Sequence, residues 1–285
     1  MSKKIMLTGC NGQLGRALQK AYSNDNGIEL ILTDTAELDI TDNGRVLSFV
    51  REQKPDTIIN CAAFTAVDAC ETDFDLAFKV NAIGPKNLAI AARETGAKLV
   101  HVSTDYVFDG KGTSPYREYD PVCPNSAYGK TKLCGEQFVK DFSDKYYILR
   151  TAWLYGDGKN FAKTMLKLAE NHDEVSVVDD QIGTPTSADE LAKAIVFVEK
   201  TENYGLYHAT CEGVCSWADF ASRVFELAGK KTKVNYISTA DYKKMNPQTA
   251  DRPAYSVLDN YMLHTDLGYY FADWEKAIAD YILGA

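Results

Sequence analysis

The chain has 285 residues, of which 45% are hydrophobic and 25% are charged, a composition that suits a globular protein with a sizeable core. Its net charge of −9 disfavours a general nucleic-acid binder, because such proteins need a basic surface to neutralise phosphates. No apolar run is long enough to predict a membrane span, and the first residues lead into a strand pattern, not a secretory signal. We therefore expect a cytoplasmic protein without a nucleic-acid or membrane partner.

Seven cysteines are spread along the chain, and no two of them form a C-x-x-C pair. An odd number without paired spacing predicts neither a disulfide framework nor a zinc ribbon. The four histidines are also scattered, so we expect reduced cysteines and no metal site built from these residues.

The first half of the chain alternates strand and helix patterns. Short runs rich in β-branched residues or leucine predict strands at 4–8, 29–33, 57–60, 99–103 and 146–150. Between them, helical patterns cover 13–23, 42–53, 71–95 and 126–142. Such alternation is typical of a doubly wound α/β fold, in which helices cover both faces of a parallel sheet.

After residue 150 the pattern loosens. Helices are predicted at 160–171, 188–200, 217–228 and 273–283, and short strands at 175–178, 206–208 and 234–237. This half therefore predicts a smaller α/β lobe that is partly interleaved with the last strands of the large sheet.

Three glycines directly follow the first predicted strand. Gly9, Gly12 and Gly15 have the spacing G-x-x-G-x-x-G and lead into the first helix. Glycine allows a tight turn and lets the backbone approach a pyrophosphate, which the helix N-terminus then attracts. A glycine-rich turn without a ligand is the alternative, but the position in the first strand–helix turn favours a dinucleotide. The predicted phosphate-binding residues are Gly9, Asn11, Gly12, Gln13, Leu14 and Gly15.

The glycine loop makes the expected fold Rossmann-type. We assign residues 1–150 to a dinucleotide-binding domain and residues 151–285 to a substrate-binding lobe.

Acidic residues near the second strand predict the adenosine end of the site. Asp34 lies 19 residues beyond Gly15, where a carboxylate can accept hydrogen bonds from ribose hydroxyls and favours NAD over NADP. Its alternative role is a cap. Arg16 is placed to approach a 2′-phosphate instead, so NADPH and NADH both remain open. Asp39 and Ile40 are predicted to flank the adenine, with loop capping as the alternative for Asp39.

Tyr128 and Lys132 are four residues apart on a predicted helix, so they share one face. A nearby ammonium is expected to lower the pKa of the phenol toward neutral pH. The tyrosine then suits a proton donor to the alkoxide that forms when hydride reaches a carbonyl, and the lysine can also bond the nicotinamide ribose. A solvated helix face is the alternative for this spacing.

Hydroxyl side chains follow the strand at 99–103. Ser103 and Thr104 lie where open α/β sheets bind ligands, and either can orient a substrate carbonyl. Asp105 and Tyr106 are expected to hold the loop or contact substrate. The phosphate loop, this strand end and the Tyr128–Lys132 pair occur in the order that a nicotinamide-dependent oxidoreductase requires.

With these motifs assembled, the sequence resembles the extended short-chain dehydrogenase/reductases and, within them, the dTDP-4-dehydrorhamnose reductase family. The matching stretches are G-C-N-G-Q-L-G (9–15), N-C-A-A-F-T-A-V-D (60–68), S-T-D-Y-V-F (103–108), Y-G-K-T-K (128–132), R-T-A-W-L-Y (150–155), N-F-A-K-T-M-L (160–166), D-Q-I-G-T-P-T (180–186) and R-P (252–253). The resemblance implies hydride transfer from NADPH or NADH to C4 of dTDP-4-dehydro-L-rhamnose, giving dTDP-L-rhamnose.

The resemblance also implies roles for individual residues. The catalytic trio would be Thr104, Tyr128 and Lys132. The sugar pocket would be lined by Val67, Asp68, Asp105, Tyr106 and Trp153. The cofactor would be flanked by Ala62, Ala63, Thr65, Asn81 and Ser103. Arg252 is our candidate for the substrate diphosphate, because a guanidinium binds phosphate in a bidentate manner; a surface salt bridge with Asp251 is the alternative.

One departure concerns a metal. Some members of the family dimerise around a magnesium ion held by glutamates, and one of those acidic positions is Ala17 here, although Glu190 is retained. One carboxylate does not make a site for a hard cation. We therefore predict no structural metal, and a monomer or weak homodimer.

Two other functions remain open. A nucleotide-sugar epimerase or dehydratase would share the fold, but Thr104-Asp105 lacks the following glutamate that a dehydratase would use. A non-catalytic subunit resembling the regulatory subunit of methionine adenosyltransferase is disfavoured by the intact trio of Thr104, Tyr128 and Lys132.

Overall fold

The computed structural model describes residues 2–284. Its strands are β1 (Lys3–Thr8), β2 (Ile28–Thr33), β3 (Thr57–Asn60), β4 (Lys98–Thr104), β5 (Tyr146–Thr151), β6 (Leu154–Tyr155), β7 (Glu174–Val178), β8 (Ile182–Gly183), β9 (Thr186–Ser187), β10 (Gly205–His208), β11 (Cys215–Ser216) and β12 (Lys233–Ile237). Its α-helices are α1 (Gln13–Tyr22), α2 (Asn43–Gln53), α3 (Val67–Thr72), α4 (Phe74–Phe78), α5 (Gly84–Thr95), α6 (Ala127–Phe142), α7 (Phe161–Leu168), α8 (Ala188–Val198), α9 (Trp217–Leu227), α10 (Thr239–Met245), α11 (Tyr261–Leu267) and α12 (Trp274–Leu283).

Six parallel strands form the central sheet, in the order β10-β5-β4-β3-β1-β2. The chain order reverses between β1 and β3, so the connections that leave these two strands run in opposite directions. Ligands of open α/β sheets bind in the crevice that this reversal creates at the carboxyl ends of the strands. The predicted doubly wound parallel sheet is confirmed, and its geometry places the glycine loop at the crevice.

Apolar side chains of the strands alternate between two cores. In β1, Met6 packs into the core that α2, α5 and α6 cover, whereas Ile5 and Leu7 pack into the core on the opposite face. Helices α1 and α8 lie against each other on that second face. Among residues 2–284, none of the helices is long and apolar enough to cross a membrane.

The second half of the chain contributes to the large sheet as well as to a smaller lobe. Strand β10 pairs in parallel with β5 at the edge of the sheet. The lobe contains the parallel pair β7 and β12, against which α9 packs. The residues that follow β5 therefore extend the large sheet at one edge and form a lobe outside it.

The helical pattern predicted at 71–95 is helical in the structure except for a break at Asp73. Asp73 follows α3, and its side chain accepts a hydrogen bond from the Leu76 amide, which starts α4. A π-helical segment at Lys79–Ile83 then leads into α5, whose first turn contains Pro85. Side-chain capping by aspartate competes with helix continuation, and the apolar periodicity did not reveal this break. Helices α10 and α11 were not predicted.

Candidate active site

The glycine loop connects β1 to α1 by close backbone contacts. Gly9 has a φ of +66°, and a Cβ atom on it would lie 2.8 Å from the backbone nitrogen of Ala62. A Cβ atom on Gly15 would lie 2.4 Å from the carbonyl oxygen of Gly9. Gly12, at the N-cap of α1, has no side chain to bond the first-turn amides. The helix N-terminus is thus available to an anion, and the binding of a pyrophosphate there stays a prediction.

Asp34 lies beside this loop and supports it. Its carboxylate accepts hydrogen bonds from the Asn11 amide at 3.0 Å and from the Thr35 amide at 2.8 Å. Asp34 therefore caps the loop, which is the alternative role predicted for it. Its contact with a ribose stays a prediction. Arg16 donates to the carbonyl oxygens of Asn11 and Asp157, at 2.6 and 2.5 Å. In this position Arg16 links the loop to the lobe.

Asp39 and Ile40 border the same end of the crevice. The Asp39 carboxylate accepts hydrogen bonds from the amide and hydroxyl of Thr41, at 2.9 and 2.8 Å. Loop capping, the alternative for Asp39, is thus what the structure shows. Ile40 presents a side chain to the cavity that Gly9, Asp34 and Ala62 also line. An adenine ring would find an apolar contact there, although the role of Asp39 toward its amine stays a prediction.

The loop after β3 forms the opposite wall. Ala62 and Ala63 line the cavity, and Thr65 lies further along it. Asn81 is buried behind this loop, where its amide bonds the backbone nitrogen and oxygen of Phe64 at 2.8 and 3.0 Å. Asn81 therefore holds the wall in place from behind, and a direct contact between Asn81 and a cofactor stays a prediction.

Helix α6 brings Tyr128 and Lys132 to the far end of the crevice. Ser126 caps the helix by accepting a hydrogen bond from the Gly129 amide at 3.1 Å. One turn apart, Tyr128 and Lys132 line the same cavity of about 400 Å³ as Thr104. The Lys132 ammonium donates to the carbonyl oxygen of Val102 at 2.6 Å. The structure thus brings the predicted trio together, and the alternative of a solvated helix face for Tyr128 and Lys132 is wrong.

The expected lowering of the Tyr128 pKa is wrong. Burial, and next the charge of Asp105, raise the pKa of the phenol, and hydrogen bonding with Thr104 opposes them. Burial also lowers the pKa of Lys132 to about 8, while the charge of Glu136 raises it. Desolvation outweighs the attraction that spacing alone suggested. A raised pKa keeps Tyr128 as the phenol at neutral pH, which is the form that can donate a proton.

Three polar side chains follow one another at the end of β4. The Ser103 hydroxyl donates to Glu136 at 2.5 Å, so it is engaged away from the cavity centre. The Thr104 hydroxyl donates to the Asp105 carboxylate at 2.8 Å and accepts from the Tyr106 amide at 3.2 Å. Burial raises the pKa of Asp105 to about 7. Ser103 and Thr104 were both predicted as candidates to orient a substrate carbonyl. Of the two, Thr104 is the one that lies beside Tyr128.

A buried ion pair lies behind this cluster. Glu136 and Arg150 are 0% and 3% exposed, and the guanidinium bonds both carboxylate oxygens at 2.9 and 2.8 Å. Arg150 also lies over the ring of Phe108, 5.1 Å from its centroid. Glu136 follows Lys132 by one helical turn. The sequence reasoning missed this pair, although the i, i+4 extension from Lys132 to Glu136 was a readable signal.

Trp153 forms a wall of the cavity with a second tryptophan. Its ring stacks on Trp217 with centroids 3.6 Å apart and an interplanar angle of 8°. Trp153 has a φ of +46°, a conformation that costs about 1–3 kcal/mol and tends to occur at functional sites. A Cβ atom on Gly183 would lie 2.5 Å from the Trp153 ring, so glycine is needed there. Trp217 was missed, since sequence indicated only a helix start.

A second cavity of about 550 Å³ opens from the first. Val67, Tyr106 and Trp217 line both cavities, and Arg252 lines the second one. Together they form one cleft that runs from the glycine loop, past Tyr128, into the lobe.

Arg252 is paired across the cleft. Its guanidinium lies 3.4 Å from the Asp68 carboxylate, which also accepts a hydrogen bond from the Ala250 amide at 2.9 Å. Asp251 instead pairs with Lys243. The alternative salt bridge between Arg252 and Asp251 is therefore wrong, and Arg252 is available at the cleft with a partly exposed partner.

The residues singled out for a metal lie apart from the cleft. Ala17 and Glu190 line one groove, and the Glu190 carboxylate pairs with Lys193 at 2.5 Å. Among residues 2–284, no three histidine, cysteine or acidic side chains are grouped as metal ligands. The absence of a structural metal stays a prediction.

Comparison with known proteins gives consistent matches over the full cleft and fold. The family model described as "RmlD substrate binding domain" matches residues 3–284. The chain is 42% identical to the dTDP-4-dehydrorhamnose reductase of Aggregatibacter actinomycetemcomitans, over 96% of this chain and 97% of that protein.

Two solved structures are similar along their whole lengths. A dTDP-4-dehydrorhamnose reductase from Clostridium acetobutylicum is 54% identical with a TM-score of 0.95, covering 98% of each chain. The dTDP-4-dehydrorhamnose reductase of Bacillus anthracis, solved in complex with NADP, is 41% identical with a TM-score of 0.95, covering 100% of each chain.

Proposed function

The chain belongs to the family of the RmlD substrate binding domain, and from this membership we propose that it reduces dTDP-4-dehydro-L-rhamnose to dTDP-L-rhamnose with NADPH or NADH. The observation that carries the proposal is the continuous cleft in which the glycine loop lies at one end and Thr104 and Tyr128 lie further along. A dinucleotide bound to the loop would supply hydride at the position where these hydroxyls meet a carbonyl.

The residues of the chain fit this cofactor. Gly9 and Gly15 leave no room for a Cβ atom, and the uncapped start of α1 offers amides to a pyrophosphate. Asp34 and Ile40 would hold the adenosine end. Lys132 would bond the nicotinamide ribose by turning from the Val102 carbonyl, which lies on the same wall.

Proton handling falls to the hydroxyls at the end of β4 and on α6. Thr104 orients the C4 carbonyl oxygen by hydrogen bonding. Tyr128, held as the phenol by burial, gives its proton to that oxygen as negative charge develops. Lys132 places a positive charge near the phenolate that remains, which favours the transfer.

Substrate recognition uses the second part of the cleft. The stacked rings of Trp153 and Trp217 offer a flat apolar wall to a deoxysugar. Arg252 would exchange its partly exposed partner Asp68 for the diphosphate, which a guanidinium binds more strongly than a single solvated carboxylate. Val67 and Tyr106 would lie between sugar and nucleotide.

The test is an assay with dTDP-4-dehydro-L-rhamnose in which oxidation of NADPH and of NADH is followed separately. We expect sugar-dependent oxidation of at least one cofactor, with dTDP-L-rhamnose as product. If protein that binds these cofactors oxidises neither of them, the proposal is wrong.

A further inference from the structure

A carboxyl group with no basic partner is buried against the reacting hydroxyls. Asp105 is 3% exposed, and one of its oxygens accepts the Thr104 hydroxyl at 2.8 Å. Its other oxygen is buried and, within residues 2–284, has no hydrogen-bond partner. The remaining groups that face the carboxyl are the Ser256 hydroxyl and the phenols of Tyr106 and Tyr128. No described cation is hydrogen-bonded to Asp105, and hydrogen bonding by Thr104, Ser256 and the neighbouring backbone offsets only part of the cost of burying its charge.

Thr104 connects this carboxyl to the proton donor. Its hydroxyl donates to Asp105 at 2.8 Å. Thr104 and Tyr128 line the same cavity, close enough for hydrogen bonding with Thr104 to lower the pKa of the phenol. A hydroxyl group can accept one proton while it donates another. The three side chains thus form a continuous path from a buried acid to the phenol.

We propose that Asp105 stores the proton that restores Tyr128 after each reduction, and passes it through the Thr104 hydroxyl. This inference rests on the proposed function. Once the Tyr128 phenolate remains, the Thr104 hydroxyl gives its proton to the phenolate oxygen and takes one from the Asp105 carboxyl. The products are a phenol, an unchanged threonine hydroxyl and a carboxylate, which regains its proton from solvent when the cleft opens.

The path predicts a pH dependence with a definite sign. Asp105 delivers a proton only while it is protonated, and burial places its pKa at about 7. Turnover should therefore fall as the pH rises through about 7. A second decline belongs to Lys132, which faces Glu136 and Cys61 and whose pKa is about 8. The two declines in turnover come from the titration of different residues, so substitution of Asp105 should remove one decline and leave the other.

The experiment compares Asp105→Asn with the wild-type protein from about pH 6 to about pH 9 under saturating substrate. Asparagine keeps the shape and an oxygen for Thr104 but stores no proton. We expect kcat to fall about tenfold or more at pH 6, and the decline near pH 7 to vanish while the one near pH 8 remains. An Asp105→Asn protein with wild-type kcat and an unchanged decline near pH 7 would overturn the proposal.

Glu118→Gln is the matched control. Glu118 is a partly buried carboxyl whose pKa burial also raises, but it accepts hydrogen bonds from the backbone amides of His208 and Met262, away from the cleft. Its substitution should leave the pH profile of kcat unchanged. If Glu118→Gln also loses the decline in kcat near pH 7, the decline is not specific to Asp105 and the proposal is overturned.

A measurement on the wild-type protein covers the case in which Asp105→Asn does not fold. In repeated turnover at pH 6 with saturating substrate, kcat is measured in mixtures of light and heavy water. Because two protons move in the step that restores Tyr128, kcat should depend on the deuterium fraction along a curve. A linear dependence, or no solvent isotope effect, would overturn the relay. Turnover by the wild-type protein tests the proposed function, whereas the pH profile and the isotope effect test the relay. Failure of the relay is therefore distinguishable from failure of the proposed function.

Discussion

Tyr128→Phe should lower kcat by about 10²- to 10⁴-fold, the range that positioned proton donors contribute. The substitution removes only the phenol oxygen, and the ring keeps its edge contact with Tyr106, whose centroid lies 5.4 Å away. Since the proposed hold on the cofactor lies mainly in the glycine loop and not at the phenol oxygen, NADPH affinity should stay nearly unchanged. Steady-state kinetics with dTDP-4-dehydro-L-rhamnose and fluorescence titration of NADPH measure the two effects.

Phe substitution of a different tyrosine provides the comparison. Tyr147 is fully buried in the sheet, and its hydroxyl bonds Thr201 at 2.9 Å, outside the cleft. Tyr147→Phe should keep kcat within about twofold, since it removes no group from the proton path. A Tyr128→Phe protein that retains wild-type kcat would show that another group supplies the proton.

Glu136→Gln should lower the free energy of unfolding by about 3–5 kcal/mol, the usual effect of removing one partner of a buried ion pair. Arg150 would keep its charge in a site that is 3% exposed, with only a neutral amide opposite it. Ser103 would lose its charged acceptor in the same step. Urea unfolding at neutral pH, followed by circular dichroism, measures the change.

Two further variants test whether an unpaired buried charge causes the loss of stability in Glu136→Gln. Arg51→Ala breaks an exposed pair with Glu94 and should cost no more than about 1 kcal/mol. The double substitution Glu136→Leu with Arg150→Met removes both buried charges, and should recover much of the lost stability because apolar replacements of buried pairs are often neutral. If the double protein is less stable than Glu136→Gln, an unpaired charge is not the cause.

The large sheet was predictable because its strands contain short runs of β-branched residues or leucine between turn residues. Strand β3 was predicted with its observed bounds, 57–60, and β1 differs by one residue. The centres of these strands, residues 5–7 and 58–59, are buried on both faces, so their apolar residues are consecutive and the signal is strong. Between 71 and 95 the apolar spacing predicted helix but neither the break at Asp73 nor the π-helical turn, because both depend on hydrogen bonds that apolar spacing does not report.

Residues of the cleft were predicted best where their type and spacing have few alternative structural explanations. Glycines with tight backbone contacts and a tyrosine–lysine pair on one helix indicate their site by spacing. Trp217 was missed because its partner Trp153 lies 64 residues earlier, and only folding stacks the rings. The pKa of Tyr128 was predicted in the wrong direction because desolvation depends on every surrounding atom, whereas spacing shows one neighbour.

The central claim is that hydride moves from a nicotinamide cofactor to C4 of a dTDP-sugar beside Tyr128 and Thr104. The most direct measurement uses NADPH, or NADH, with deuterium at the transferable position and analyses the product sugar by NMR. The account predicts one deuterium at C4 of dTDP-L-rhamnose for each cofactor oxidised. A product without deuterium, or an isomerised sugar formed without net cofactor oxidation, would contradict it.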